Sequence, residues 1–247
     1  MAEVGSLVKT NNFGYLLITR YVSSREVYSK FIDTGYEVKT TMQQLLKGNI
    51  NDRLKPTVFG VGVIGECLTV DSCGNRLKEY QVWKGMLERC YSDKFQAKKP
   101  TYKGCIVSEN FKYFPYFKEW CNKQIGFDQV GWHLDKDILS KGNKVYSEDT
   151  CCFVPQEINS LLVRSNATRG KYPLGVSYLT RLGMFEASVS LGGRNKRIGR
   201  FYNAQEAFYA YKEVKESYIK EVANKWKDRI DPRVYNALMS WNIEITD

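Results

Sequence analysis

The N-terminal part of the chain has short runs in which apolar and polar residues alternate. Three such β-rich runs, at residues 15–21, 26–32 and 36–40, are separated by turn residues, a pattern typical of half-buried strands. A short helix is predicted over residues 41–46, because Gly48 stands where helices often end. Residues 1–12 are polar and predicted to be frayed. The pattern therefore predicts a small β-rich module over residues 1–55.

Glycines at 60, 62 and 65 interrupt the next segment, which shows no sustained apolar period. We interpret residues 56–78 as a glycine-rich linker with β-hairpin character and as a domain boundary.

Two helices are predicted after this segment, because apolar side chains recur at three- and four-residue spacing. The first begins near Lys78, and the second has Ser108 or Asn110 as N-cap, with Pro115 in its first or second turn. Their apolar faces carry Tyr80, Trp83, Met86, Leu87, Cys90 and Tyr91 in the first helix, and Phe111, Phe114, Phe117, Trp120 and Cys121 in the second. These faces are typical of buried core.

The pattern of residues 132–162 differs from that of the helices. It predicts a strand over 132–134, a polar loop, a strand over 151–154, and a helix that begins at Pro155 and carries Asn159. Asp135 and Asp137 stand two apart where the first strand ends. Carboxylate and amide oxygens are the ligands that Mg²⁺ prefers, so these side chains are candidates for a cation site. The alternative is an Asx-rich turn that caps a hairpin.

The C-terminal part is predicted to form a three-stranded sheet with a helix packed across one face. Its strands cover residues 175–178, 185–191 and 197–201, and the last two are joined by Gly192-Gly193. The helix begins at Asn203, with Glu206 completing a capping box, and a final helix begins at Asp231-Pro232. The arginines are expected on the outer face of the sheet. The predicted fold class is α+β.

The charge distribution adds a candidate partner. The 247-residue chain has a formal net charge of +10, and residues 161–202 hold eight basic residues and one acid, Glu186. This density favours phosphate binding, because each neutralised phosphate releases counterions. A solvated basic face and an anionic membrane surface are the alternatives.

Seven cysteines without a CxxC pair, and a single histidine, favour reduced core thiols over disulfides or structural zinc. Because the sequence has no run of 18 apolar residues and no signal-peptide pattern, we expect a cytoplasmic protein without a membrane segment.

The run LDKDI, followed by GNKVYSEDTCCFVPQEIN, resembles the core of phage and mobile-element HNH endonucleases. The upstream text YQVWKGMLERCYS, with PTYKG and the closing FKEW, resembles the lead-in of the same family, so the similarity spans roughly residues 79–160. It implies a ββα-metal nuclease domain over residues 79–163. The implied catalytic residues are His133, Asp135, Asp137 and Asn143. The implied ligands of one Mg²⁺ or Mn²⁺ are Asp135, Asp137 and Asn159.

The chain departs from that family at the general base, because Asp135 takes the place of the usual histidine and His133 falls two residues earlier. Three interpretations stay open. His133 activates water, or a metal-bound water reacts without a histidine, or the site is inactive.

The C-terminal unit resembles the Apetala-type DNA-binding domain of ethylene-response factors. The matching residues are Gly175-Val176, Phe185, Ala187, Ile198-Gly199, Phe201, Glu206-Ala207, Ala210-Tyr211 and Lys215. The resemblance implies a DNA-binding domain over residues 170–247 whose sheet enters the major groove. The implied DNA contacts are Lys171, Tyr178, Arg181, Arg194, Lys196, Arg197 and Arg200.

Together these features predict a metal-dependent, homing-type DNA endonuclease, a nickase or a double-strand cutter. Its expected partner is double-stranded DNA, with no small-molecule cofactor, and it would act as a monomer or weak dimer in the cytoplasm of the host cell. A catalytically inactive DNA-binding protein on the same frame is the first alternative, and an RNA-binding or RNA-cleaving protein is the second.

Overall fold

A computed structural model of the chain describes residues 3–162 and 171–247. The chain divides into two compact units, Met1–Cys121 and Asn122–Asp247. The expected α+β class is confirmed, since antiparallel sheets and helices occur in both units. Arg164, Arg169 and the expected domain boundary at 163–170 lie outside the described residues.

The first unit begins with a four-stranded antiparallel sheet in the order β1-β2-β3-β4, followed by helix α1. The elements are β1 (Leu7–Lys9), β2 (Tyr15–Ser23), β3 (Glu26–Phe31), β4 (Glu37–Thr40) and α1 (Met42–Lys47). Leu16, Ile18, Phe31 and Leu45 form the buried core between the sheet and the helix. The prediction that residues 1–12 are frayed was wrong for β1, which pairs with β2 and packs Val8 against this core.

Residues 56–78 pack within the first unit and are not a free linker. The main chain of Val63 accepts a hydrogen bond from the N–H of Phe114 and donates one to the C=O of Lys112. A Cβ atom on Gly62 would lie 2.5 Å from Leu87 and 2.9 Å from Trp83. The glycine therefore serves close packing against a helix, because no side chain fits there. The expected hairpin character is limited to isolated bridges such as Val70 with Arg76.

The helices of the first unit are α2 (Lys78–Tyr91), α3 (Asp93–Lys98), α4 (Glu109–Lys112) and α5 (Phe114–Asn122), with the short strand β5 (Ile106–Val107) before α4. Ser108 caps α4 as predicted, by accepting the N–H of Phe111. The single helix predicted here is two, because Tyr113 is extended. Pro115 lies in the first turn of α5, and its ring disfavours helical backbone just before it.

The second unit contains a short antiparallel pair, a helix, a three-stranded sheet and two more helices. The first elements are β6 (Trp132–Asp135), β7 (Val145–Tyr146), β8 (Cys152–Pro155) and α6 (Gln156–Leu161). The next are β9 (Val176–Leu179), β10 (Met184–Leu191), β11 (Arg194–Phe201), α7 (Ala204–Trp226) and α8 (Pro232–Met239). The sheet order is β11-β10-β9, and Asn203 caps α7 as predicted.

One hydrophobic core joins all parts of the second unit. Its buried members come from β8, α6, α7 and α8, and Val176 of the sheet packs against them. They include Val154, Ile158, Phe208, Ile219, Val222, Val234 and Leu238. The β6–β8–α6 element and the C-terminal sheet are therefore held in one folded body around α7.

Five of the seven thiols are buried, while Cys67 is half-buried and Cys73 is exposed. In the ranges that the structure describes, no helix has the length and apolar character needed to cross a membrane.

We predict that Gly175→Ala destabilises the second unit by about 3 kcal/mol, because a Cβ atom would overlap the Tyr211 ring on α7 and the backbone is left-handed. The overlap distance is 2.0 Å and φ is +73°. Gly183→Ala is the matched control, because φ is +64° there but nothing lies within 4 Å of the added atom. The control should cost only the backbone strain, about 1 kcal/mol. Urea unfolding measures both, and equal losses would contradict the packing account.

Candidate metal and nucleic-acid sites

Strands β6 and β8 with helix α6 form the ββα arrangement that the sequence predicted. Cross-strand pairing sets His133 opposite Val154 and Asp135 opposite Cys152. His133 and Asp135 therefore lie on one face of the pair, since side chains alternate along a strand. Helix α6 follows β8 directly and contacts both strands. Asn159 lies on this helix.

Asp135 organises the turn at the end of β6. Its Oδ1 accepts the main-chain N–H groups of Asp137 at 2.7 Å and Ile138 at 2.8 Å. Burial raises the pKa of this carboxyl group, while the two N–H donors act in the opposite direction. Within the described residues, no donor reaches Oδ2. One carboxylate oxygen is thus used for folding and the other is left for a ligand.

Lys136 is a buried lysine between the two aspartates, with 6% of its side chain exposed. Its ammonium donates to Asp137 Oδ1 at 2.6 Å and to the Asn143 carbonyl at 2.7 Å. The ammonium also lies 5.7 Å from the centre of the Tyr146 ring. Asp137 is consequently neutralised by an ion pair, so the two aspartates have different roles. The burial of this lysine could not be predicted from the residue pattern, because a basic residue after a strand usually faces solvent.

Asn143 uses its amide to shape the loop. It donates to the carbonyl groups of Lys136 at 2.9 Å and Val145 at 2.6 Å, and its oxygen accepts the N–H of Val145. This position fits the expectation that Asn143 orients groups in the loop, although its amide is fully engaged by the backbone.

His133 and Asn159 have free polar atoms. His133 is exposed, and its ring makes no hydrogen bond to any residue in the ranges 3–162 and 171–247. The Asn159 amide is half-exposed and likewise bonds to no described residue.

Asp135 Oδ2, Asp137 Oδ2 and the Asn159 side-chain oxygen accept no hydrogen bond from any described residue, so these oxygens of the predicted ligand set have no hydrogen-bond donor. Carboxylate and amide oxygens are the ligands that Mg²⁺ prefers, and the ion keeps several of its water ligands. Among the described residues, no group of three or more His, Cys, Asp or Glu side chains is arranged to hold a metal ion.

Two neighbouring cysteines, Cys151 just before β8 and Cys152 as its first residue, have buried thiols. Burial raises the pKa of Cys151 to about 12, and burial also raises that of Cys152. A thiol must ionise to act as a nucleophile, so neither sulfur suits that role near neutral pH.

Glu157 connects α6 to α7. Its carboxylate accepts from Lys225 at 2.8 Å and from the Trp226 indole N–H at 2.7 Å. Arg229 stacks over the same indole, 4.0 Å from the ring centre, and Trp132 packs edge-on against it. The pair of helices is therefore fixed by a polar contact two residues before Asn159.

The outer face of the C-terminal sheet carries two of the predicted arginines. Glu186 on the central strand pairs across β11 with Arg200, and Ser188 pairs with Arg197. A β-bulge between these pairs inserts Ile198 as an extra residue. Glu186 Oε2 lies 3.6 Å from Arg200 Nε and 3.9 Å from Arg197 Nη1. The two cations are thereby held side by side.

Arg194 and Lys196 lie on the other face, since they pair with Leu191 and with the buried Val189. The expectation that the outer face carries all the arginines was therefore wrong for Arg194. The bulge is the reason, because one extra residue reverses the side of every following side chain.

The remaining predicted DNA contacts lie near the β9 edge. Arg181 is exposed in the turn that follows β9. Tyr178 packs against Phe185 and Tyr172, with ring centres 5.0 Å and 6.0 Å away, and Lys171 lies over the Tyr172 ring.

Comparisons with protein-family models, with curated proteins and with solved structures find no match to this chain.

We predict a pH-dependent contribution of Glu157 to stability. The hydrogen bond from Lys225, and then that from Trp226, lower the pKa of Glu157 below its ordinary value of 4.5. Its contribution is therefore complete above about pH 4.5 and is lost as pH falls through the lower folded-state value. Glu157→Gln should reduce the free energy of unfolding at pH 7, and the difference from the unaltered protein should shrink in acid.

Glu221→Gln on the exposed side of α7 is the control for loss of a carboxylate. Denaturant unfolding from pH 7 to pH 3 makes the comparison. If Glu157→Gln lowers the free energy of unfolding by the same amount at pH 3 as at pH 7, the ion pair is not the source of its effect.

Proposed function

We propose that the chain is a metal-dependent DNA endonuclease of HNH-like type, which binds duplex DNA through the sheet formed by β9, β10 and β11. The observation that carries this proposal is the ββα element, in which Asp135 and Asn159 keep free oxygens while a shared core joins it to a basic sheet. A rigid ββα element in the same folded unit as a cationic sheet suits a substrate with a phosphodiester backbone, such as DNA.

Asp135 Oδ2 and the Asn159 oxygen would hold one Mg²⁺ or Mn²⁺. The ion supplies positive charge that stabilises the negative charge developing on the phosphate. His133, exposed on the same face of β6 as Asp135, is the group that can accept a proton from water. Asp137 stays paired with Lys136 and keeps the loop in shape, with Asn143 as its second support.

Arg197 and Arg200 would contact phosphates or guanine edges from the outer face of the sheet. One site per chain cleaves one strand at a time, so a monomer or weak dimer would act as a nickase or as a paired double-strand cutter. A homing-type enzyme of a phage or mobile element, acting in the host cytoplasm, is the setting that we propose.

A DNA-binding protein without catalysis is the second candidate. Two observations favour it, namely the ion pair that neutralises Asp137 and the absence of any orienting partner for His133 among the described residues. A general base usually needs such a partner to hold its ring.

We predict that the protein nicks supercoiled plasmid in Mg²⁺ or Mn²⁺, and that Asp135→Asn lowers the nicking rate by roughly 100-fold or more. This variant keeps an oxygen that can accept the two turn N–H groups, so the fold is retained while the charge is lost. Asn159→Ala should weaken metal binding, so that nicking needs a higher Mg²⁺ concentration, without changing DNA binding. Asp149→Ala, an exposed acid in the same loop, is the matched control and should nick normally.

The same samples should be examined by gel shift in EDTA. Binding with no metal-dependent nicking, or nicking that Asp135→Asn leaves unchanged, would overturn the endonuclease proposal. Binding without any nicking would favour the non-catalytic candidate.

We also predict that Glu186→Gln tightens DNA binding, because the variant frees Arg197 and Arg200 from their shared acid. The slope of log affinity against log salt should steepen by about one, as expected for one additional phosphate contact. Glu213→Gln on the exposed side of α7 changes the net charge equally and is the control. Fluorescence anisotropy with a duplex over a salt series measures the slope. Equal effects of the two variants would contradict the proposal that Arg197 and Arg200 contact DNA.

A further inference from the structure

The first unit contains an open cleft of about 590 Å³ that lies along strand β4. Val38, Lys39 and Thr40 of this strand line the cleft, and Leu68 and Val70 line it as well. A volume of this size is within the range of small-molecule sites. All of these residues belong to Met1–Cys121, so the cleft is lined by no residue of the ββα element.

The edge of β4 presents a main-chain donor and acceptor to this cleft. The N–H of Phe31 donates to the C=O of Tyr36, which makes their pairing a hydrogen-bonded one. Such pairs alternate with non-hydrogen-bonded pairs in an antiparallel ladder, so the pair of Tyr28 with Lys39 is non-hydrogen-bonded. The N–H and C=O of Lys39 therefore point away from β3, at the strand edge that borders the cleft.

Side-chain amides add unused donors and acceptors beside this edge. The amide of Asn51 makes no hydrogen bond to any described residue. Gln44 uses only its oxygen, which accepts the Thr40 hydroxyl at 2.8 Å. Asn49 likewise uses only its oxygen, which accepts from Asn11, so the NH₂ groups of both side chains are left for a ligand. Paired donors and acceptors of this kind match the edge of a nucleobase.

The charges that line the cleft favour an anion. Arg53 donates to the carbonyl of Cys67, and no carboxylate pairs with it in the described part of the chain. Lys39 is paired with Glu26 at 2.9 Å, which partly offsets its charge. Asp52, the acid among the lining residues, is buried and engaged by the Thr34 hydroxyl at 2.7 Å and by a main-chain N–H.

Part of the lining of the cleft is apolar and exposed to solvent. Leu68 has 67% of its surface exposed and Val70 has 37%, and Ile64 lines the cleft with them. Exposed aliphatic side chains beside polar groups are typical of a binding surface. Such a surface suits a ligand that has one planar, apolar part and one polar part.

We propose that this cleft binds a nucleotide, with the base against Leu68 and Val70, its edge facing the β4 main chain and Asn51, and the phosphate toward Arg53. The nucleotide is either free or an unpaired residue of a nucleic-acid strand. This inference goes beyond the endonuclease proposal and does not depend on it, since it uses no residue of the second unit.

The test uses the full chain and two kinds of probe. Adenosine, guanosine, cytidine and uridine 5′-monophosphates are titrated by calorimetry, and a short fluorescein-labelled single strand of mixed sequence is titrated by anisotropy. Gln44→Glu keeps an acceptor for Thr40 and places a negative charge in the cleft, and should weaken binding about tenfold. Gln43→Glu adds the same charge to the same helix outside the cleft and should leave affinity unchanged.

Asn51→Ala is the second variant, since its side chain makes no hydrogen bond to any residue that the structure describes, and it should weaken binding while the unfolding temperature stays constant. Binding of a mononucleotide identifies a small-molecule site, and binding of the single strand alone identifies an unpaired residue of a strand. Failure of all probes to bind, or equal weakening by Gln43→Glu and Gln44→Glu, would overturn the proposal. Single-strand binding that Arg200→Ala abolishes and Gln44→Glu leaves intact would also overturn it.

These outcomes are distinguishable from failure of the endonuclease proposal. Plasmid nicking and duplex binding by Gln44→Glu report on the second unit, whereas mononucleotide binding by Asp135→Asn reports on the first.

Discussion

Helix α7 is the element on which the second unit depends, because it buries side chains against two different partners. Phe208, Ile219 and Val222 belong to the same core as Val154 and Ile158 of the ββα element. The sheet approaches α7 closely at Gly175, where Tyr211 occupies the space that a side chain would fill. The basic C-terminal sheet and the ββα element are thus positioned by one helix, and the Glu157 contacts with Lys225 and Trp226 fix the ββα side of that arrangement.

Within the ββα element, Asp135 and Asp137 make different contacts. Asp137 is neutralised by a buried lysine, and a buried cation without that partner would be strongly unfavourable. Asp135 uses one oxygen to close the turn and keeps the other free. The turn interpretation and the cation-site interpretation of this pair are therefore compatible, since they concern different oxygens.

Much of the local structure could be predicted from the sequence, because it is encoded by nearby residues. The ββα strands and helix, the Asn203 cap and the Gly192-Gly193 turn agree with the predictions to within a few residues.

Features that depend on distant partners could not be predicted. The burial of Lys136 requires Asn143 and Tyr146, which the spacing of apolar residues does not reveal. The bulge at Ile198 changes which face carries Arg197, although the strand pattern is otherwise ordinary. The packing of residues 56–78 against α2 likewise depends on how small Gly62 is.

The most direct test of the account is the position of a bound metal ion. Mn²⁺ broadens the amide signals of nearby residues in heteronuclear NMR spectra, which locates the ion without relying on activity. The account predicts that, at low Mn²⁺, broadening is confined to residues around His133 to Ile138 and around Asn159, and that Asp135→Asn removes it. Broadening that centres elsewhere, or that Asp135→Asn leaves unchanged, would contradict the assignment of Asp135 and Asn159 as the metal ligands.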